Sequence, residues 1–351
     1  MGRDVLSVRQ MMVLLLVSLL APATDLLPGI AAQQVGRGGW LIALGALPLL
    51  LLALWVCSKL FCGRGLCAEV GKPLGYTIII IYLIWILLTL AATLRVSAVR
   101  MELIYSRVPP ILFAVFVAAA ASWMGMGKVS ALARAAEIFY LALTVVLAGI
   151  LLLALFKVEW RNLYPVEWAK LSGGSVSAAG ILLNVAPAAV LGARVPKKTR
   201  STRSVCGWTI AFCAAIALML AAVLGCIGSG LSARLDIPYF IMVQGLGVKG
   251  AFQRTEALVA AMWLLSDVIL AGVLLRAWQE HLKELKCEKW GKWSIPAAAA
   301  AAIIIGWLLF PEGDSVRIFY RDALSVAGIV LGLIIPGLIM LVSCVRRRKQ
   351  R

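Results

Sequence analysis

The sequence predicts an all-α, polytopic membrane protein of about ten transmembrane helices, on three observations. Hydrophobic residues make up 62% of the 351, charged residues only 14%, and the mean hydropathy of +0.97 lies far outside the soluble globular range. Apolar runs long enough to span, at roughly 20 residues each, recur from end to end. They lie at about 7–32, 39–60, 75–96, 108–125, 130–156, 173–192, 205–230, 255–277, 294–310 and 323–345. The third observation is an interruption inside the first run, Ala21-Pro22-Ala23-Thr24-Asp25, which sets a helix breaker and a carboxylate at mid-depth. In lipid every backbone polar group needs an internal partner, so such a break is tolerated only inside protein or beside a cavity. Interrupted helices of this kind build the midplane substrate sites of secondary transporters.

The first run also imitates a secretory signal, with basic residues, an apolar core and the small residues of Ala21-Pro22-Ala23. Its continuation through Leu26-Leu27-Pro28-Gly29-Ile30 prolongs the apolar stretch and favours a retained span. Asp25 follows the break, where it either binds a cationic group, proton or cation, or caps a second half-helix near the outer interface. Cys57, Cys62 and Cys67 are evenly spaced near the end of the second run but form no Cys-x-x-Cys pair. In the fifth run Arg134 and Glu137, three residues apart, share one helical face and are expected to form a structural ion pair. Glu137 is also a candidate for an ion or proton path. The sixth run opens with Ser172-Gly173-Gly174-Ser175 and is interrupted by Asn184-Val185-Ala186-Pro187. Pro187 frees a carbonyl near position 183, and Asn184 supplies a donor and an acceptor beside that gap.

Cys213 and Cys226, inside the seventh run, are expected to behave as small apolar residues. Asp267, beside Ser266 and near the middle of the eighth run, either contributes to an ion or proton path or hydrogen-bonds a neighbouring helix. The segment from Trp278 to Lys292 alternates Glu and Lys at helical spacing and is expected to be a solvated helix, or one that docks a partner. Trp40, Trp160, Trp168, Trp208 and Trp290 read as interface residues. The whole chain, 1–351, is expected to form one transmembrane domain. Its two halves cover about 7–156 and 172–345, with a basic tail over 346–351. Spans one and six are the corresponding first helices of those halves, and interruptions at corresponding positions point to a binding site.

Of the 34 Lys and Arg residues, 22 fall in segments on the side of both termini and 12 on the other, so both termini are expected in the cytoplasm. The net charge of +18 is therefore mainly topological. It is spread over loops, unlike the single basic face a nucleic-acid-binding protein presents. A single histidine, His281, and no nucleophile constellation argue against an enzyme, and no metal or other cofactor is expected.

The chain resembles the spore-germination permeases, the B-type membrane subunits of germinant receptors, within the amino acid–polyamine–organocation transporter superfamily. The resemblance runs in order through Leu27-Pro28, Gly39-Trp40, Arg134-Ala135-Ala136-Glu137-Ile138-Phe139 and Arg161-Asn162-Leu163-Tyr164-Pro165-Val166. It continues with Lys249-Gly250-Ala251-Phe252, Arg254-Thr255-Glu256-Ala257-Leu258, Trp263, Phe310-Pro311-Glu312 and the basic tail. It implies a LeuT-like five-plus-five inverted repeat with broken helices 1 and 6, and a small-nutrient pocket between spans one, three, six and eight. It also implies an A-type membrane subunit and a C-type lipoprotein as partners, in the inner membrane of the spore. Ligand-binding candidates are Ala21, Pro22, Ala23, Thr24, Asp25, Val99, Asn184 and Val185. Relatives often carry glycines in the first break; here Pro22 has no N–H to offer. Val185 and Val99 stand near positions where the family pattern has glutamates, which argues against a zwitterionic amino acid as ligand. A proton-coupled amino-acid or amine transporter and a ligand-blind structural subunit are the alternative readings.

Overall fold

The computed structural model describes residues 4–60, 66–196, 201–246, 255–286 and 288–349. Cys62, the Lys249–Phe252 segment, Arg254, the side chain of Trp290 and those of the basic tail lie outside the described residues. Ten long helices carry the fold: α1 (Val8–Gln34), α2 (Ile42–Leu60), α3 (Lys72–Ile104), α4 (Pro110–Met126) and α5 (Val129–Leu155) in the first half. α6 (Trp168–Leu182), α7 (Thr202–Ile227), α8 (Thr255–Glu284), α9 (Ser294–Leu309) and α10 (Gly313–Cys344) follow. Among the described residues nine helices are long and apolar enough to cross a membrane, and α4 is a shorter apolar one. The chain is therefore an integral membrane protein.

α1 and α8 are the most enclosed spans, followed by α3 and α6, while α5 is the least. The core is a continuous cluster in which α1 and α8 pack on one another at the centre. Ser7 and Gln10 start α1 with a capping box, each side chain accepting from the other residue's amide at 3.1 Å. Asp4 supplies the cap that α5 lacks: its carboxylate oxygens accept from the amides of Val129 (2.9 Å) and Ser130 (3.0 Å). Burial pushes the Asp4 pKa up, but the hydrogen bonds from Ser130 and Val129 and the nearby Arg194 outweigh it and hold the carboxyl below its ordinary value. A depressed carboxyl stabilises the fold above its unfolded pKa and loses that contribution as pH falls through the folded one. Asp4→Ala should thus lower stability by about 1 kcal/mol at neutral pH. In thermal melts the gap to the wild type should close once both are acidified below the Asp4 pKa.

Three segments differ from the sequence expectation. The helix of α8 continues to Glu284, so residues 278–284 are its last turns instead of a separate solvated helix. Gln279 and His281 are buried there, and His281 Nε2 lies 3.0 Å from the carbonyl of Pro187. α10 starts ten residues earlier than the apolar run, at Gly313, because Asp314, Arg317, Arg321 and Asp322 are accommodated within its first turns. It also contains two π-helical stretches, Tyr320–Leu324 and Val330–Ile334. The carbonyl of Leu331, in the second of them, accepts from the Tyr82 hydroxyl at 3.1 Å. Arg95 and Arg100, counted above with outer loop cations, lie inside α3 and are buried. Arg95 serves α9: it donates to the carbonyls of Phe310 (2.8 Å) and Pro311 (2.7 Å) and lies over the Trp307 ring, closing that helix's C-terminus with a cation.

α6 and α10 meet at glycines. A Cβ on Gly180 would overlap the Ser325 carbonyl, and one on Gly328 would overlap the Gly180 carbonyl. Small residues at such a crossing let two backbones approach closely, the usual solution where lipid offers no hydrophobic drive between helices.

Candidate functional site

The interruption in α1 takes a form that composition does not reveal. α1 remains helical through Pro22 and Pro28, in contrast to the unwound break expected at 21–25. The opening is in its hydrogen-bond ladder. Ser266 Oγ of α8 donates to the Val17 carbonyl (2.6 Å) and accepts from the Ala21 amide (2.8 Å), the two groups of one rung. A side chain inserted into the ladder just before Pro22 loosens the helix there without ending it. In α6 the change is plainer: the α-helix gives way at Leu183 to a 3-10 stretch, Leu183–Arg194. Pro187 explains why α-helical bonding is not resumed, and the Asn184 side chain turns back on its own helix, donating through Nδ2 to the Gly180 and Ile181 carbonyls at 3.2 Å each.

Next to the opened rung, Thr24 donates to the Leu20 carbonyl (2.8 Å) and accepts from Trp263 Nε1 of α8 (2.9 Å). One turn of side chains further in lies a buried charge network. Arg100 of α3 donates through Nη2 to Asp267 Oδ2 of α8 at 2.5 Å. Its Nε stands 3.7 Å from Asp25 Oδ2 of α1, and its guanidinium lies 5.1 Å from the centre of the Trp263 ring. Arg317 of α10 reaches the other Asp25 oxygen at 3.6 Å and donates to the backbone carbonyl of Asp236. Asp25 and Asp267 are each 1% exposed, so two carboxylates and two guanidiniums neutralise one another out of solvent. Only Arg317 keeps part of its surface outside, 15% of its side chain. Neither Asp25 oxygen makes a hydrogen bond among the described residues. Taking such charges out of water costs several kcal/mol per ion and is retained only with close pairing.

Of the residues singled out from sequence, the structure joins Thr24 and Asp25 with Asp267 and Ser266. Asp25 faces guanidiniums in the interior instead of capping a half-helix at the interface. Asp267 turns out to be part of an ion pair as well as neighbour to the inter-helix hydroxyl of Ser266. Asn184 and Val185 are buried on the 3-10 stretch, which packs on α1, but no hydrogen bond or ion pair ties them to the charge network among the described residues. Val99 is displaced from the site: it packs at the start of α10, where a Cβ on Gly313 would lie 3.1 Å from Val99 Cγ1. The next residue on α3, Arg100, is the one that reaches Asp25 and Asp267.

The Arg134–Glu137 pair does not form. Arg134 donates to the Ser130 carbonyl one turn back, while Glu137 accepts from Arg9 at 3.0 and 3.2 Å and from Gln10 at 3.3 Å. Glu137 faces α1 across the helix packing, so its ion pair ties two spans instead of two turns. Arg100, Arg317 and Trp263 as site members were missed. The signal that finds Arg100 is charge balance, since two carboxylates in apolar spans demand buried cations.

The Thr24–Trp263 bond supports a direct test. Thr24→Val keeps the shape but leaves the buried indole N–H without an acceptor, which should cost about 1–3 kcal/mol of stability. Thr24→Ser, which restores the hydroxyl, should recover most of it in the same thermal melts.

Comparison with known proteins agrees with this geometry. The solved structure of MhsT in complex with L-phenylalanine superposes with a TM-score of 0.71 over 96% of this chain and 89% of that one, at 14% identity. At that identity the likeness is one of fold, and the fold is LeuT-like. No curated protein matches the chain by sequence. The pattern of a family described as spore germination protein matches residues 5–308. Family and fold are those of permeases rather than enzymes. A LeuT-like membrane fold and a match over most of its length place the chain in one family: it belongs to the spore germination proteins.

Proposed function

We propose that the chain is the germinant-sensing membrane subunit of a spore germination receptor, binding a small nutrient in a transporter-like pocket and signalling to its partners. The observation that carries this reading is Asp25, a buried carboxylate beside an opened rung of α1, facing guanidiniums from α3 and α10 without a hydrogen bond of its own. Intramembrane ionisable groups are costly and mark functional paths by default. The pocket lies between α1, α3, α6 and α8, with Thr24, Asp25 and Asn184 as its polar lining and Arg317 as the side chain a ligand must pass. In this state the network is closed on itself. A ligand that binds a more open arrangement better shifts the population towards it, by no more than its differential affinity for the two. An A-type membrane subunit and a C-type lipoprotein then read the shift. The protein sits in the inner membrane of the spore with both termini in the cytoplasm, and its two five-span halves form an inverted repeat.

A second reading, a proton-coupled amino-acid or amine transporter, is favoured by the two buried carboxylates, Asp25 and Asp267. Uptake into proteoliposomes that depends on a pH gradient would decide for it.

The test is a thermal-shift screen of the purified chain in lipid nanodiscs against amino acids, amines, sugars and nucleosides. A ligand of the folded state should raise stability by about 2.7 kcal/mol at a hundredfold excess over its dissociation constant. No shift with any class would count against ligand sensing by this chain alone and favour a ligand-blind structural subunit.

A further inference from the structure

A cleft of about 440 Å³ opens on the face that carries the start of α1, between the ends of α4, α8 and α9. Its cations are Lys128, Arg276, Lys283 and Lys292, and its only carboxylate among the described residues is Asp4. The floor is built. Arg276 is more than nine-tenths buried and donates through Nη1 to Gln279 Oε1 (2.6 Å) and to the carbonyls of Gly127 (3.3 Å) and Gly125 (3.4 Å). Gln279 in turn donates to the Gly291 carbonyl at 3.4 Å, tying the entry to α9 to the end of α8.

The charges in this corner do not balance. Glu280 is shared by three cations, Arg194 at 3.0 Å, Lys283 at 3.0 Å and Arg276 at 3.2 Å. Both Asp4 oxygens are engaged by amides at the start of α5. Lys128 and Lys292 remain exposed at the rim, without an ion pair or hydrogen bond among the described residues. Lys128 also stands at the N-cap of α5, whose first amides are taken by Asp4, so the lysine itself is left without a counter-charge among the described residues. Beside this rim the surface turns apolar and aromatic. Trp293, next to Lys292, is 79% exposed, and Trp123, one turn before the end of α4, is 78% exposed. Exposed indoles at the ends of spans mark the depth at which headgroups meet acyl chains.

We infer that this cleft holds the phosphate of an anionic phospholipid. Lys128 and Lys292 donate to the phosphate oxygens, the Arg276 guanidinium adds positive field, and Trp123 and Trp293 lie along the acyl chains. The apolar flanks select a lipid over a soluble anion, which could use only the polar rim. The site is remote from Asp25 and independent of the nutrient-binding proposal.

Native mass spectrometry of the full chain, extracted in mild detergent and titrated with phosphatidylglycerol or phosphatidylcholine, tests it. One phosphatidylglycerol should be retained in preference to phosphatidylcholine. At roughly fivefold per lysine, Lys128→Gln with Lys292→Gln should weaken retention about 25-fold. The Lys128→Arg, Lys292→Arg pair should keep it, which separates charge from folding. Equal retention by the glutamine pair, equal retention of phosphatidylcholine, or displacement of the lipid by millimolar inorganic phosphate would each overturn the assignment.

Discussion

Arg100→Leu should destabilise the protein by about 3–5 kcal/mol, because it leaves charges buried without a counter-charge. The guanidinium is, among the described residues, the one cation that touches both Asp25 and Asp267, and it also stacks over Trp263. Its loss would strand two carboxylates in the interior, with Arg317 at 3.6 Å facing only Asp25. The comparison that isolates charge is the triple variant Asp25→Asn, Arg100→Leu, Asp267→Asn. Replacing a whole buried ion group is often close to neutral; the triple variant removes its three deepest members and leaves only the partly exposed Arg317 unpaired, so it should recover part of the loss. Thermal denaturation in one detergent gives both values. A single variant as stable as the wild type would show that the pairs do not neutralise one another, and a triple variant no better than the single would move the cost to packing.

The second large effect is expected where α6 crosses α10. Gly180→Ala and Gly328→Ala each place a methyl group against an opposing backbone carbonyl, which cannot rotate away as a side chain would. The helices must separate, and about 3 kcal/mol, the upper part of the range for overpacking, is a fair expectation for each. The double variant should cost less than the sum, since one displacement relieves both clashes. Gly149 and Gly173, with open space where a Cβ would go, serve as controls, and alanine there should change the melting temperature little. A melting temperature unchanged by Gly328→Ala would mean that the two backbones are not held at this separation.

Nine long apolar helices and the shorter α4 were legible because hydropathy is a summed property of some 20 residues, and no single substitution hides it. The same averaging blurred their ends. Arg95 and Arg100 looked like loop cations because the apolar window closes at about 96, yet each has a buried acceptor on a distant segment, the Phe310 carbonyl 215 residues on and the Asp267 carboxylate 167 residues on. Asp25 and Asp267 were legible as costly groups; that they share one guanidinium depends on how three spans pack, which no local pattern encodes. The break at Ala21–Asp25 was read at the right place and in the wrong form. Proline announces the missing rung between positions 18 and 22, but the hydroxyl that opens the adjacent rung, from 17 to 21, belongs to Ser266, 245 residues from Ala21. Glu137 illustrates the same limit. Spacing of three on a helix made Arg134 the obvious partner, and tertiary packing offered Arg9 instead.

The measurement that bears most directly on the central claim is the equilibrium affinity of a compound from the nanodisc screen for the wild type, Thr24→Val, Asp25→Asn and Lys170→Gln. Lys170 is exposed in the first turn of α6 and, among the described residues, pairs only with Glu167. Nutrient binding beside the opened rung of α1 predicts a loss of tenfold or more in both Thr24→Val and Asp25→Asn, which is about 1.4 kcal/mol or more of binding free energy. It predicts wild-type affinity for Lys170→Gln. Full affinity in both α1 variants, with their folds confirmed by melting, would place the ligand elsewhere and contradict it.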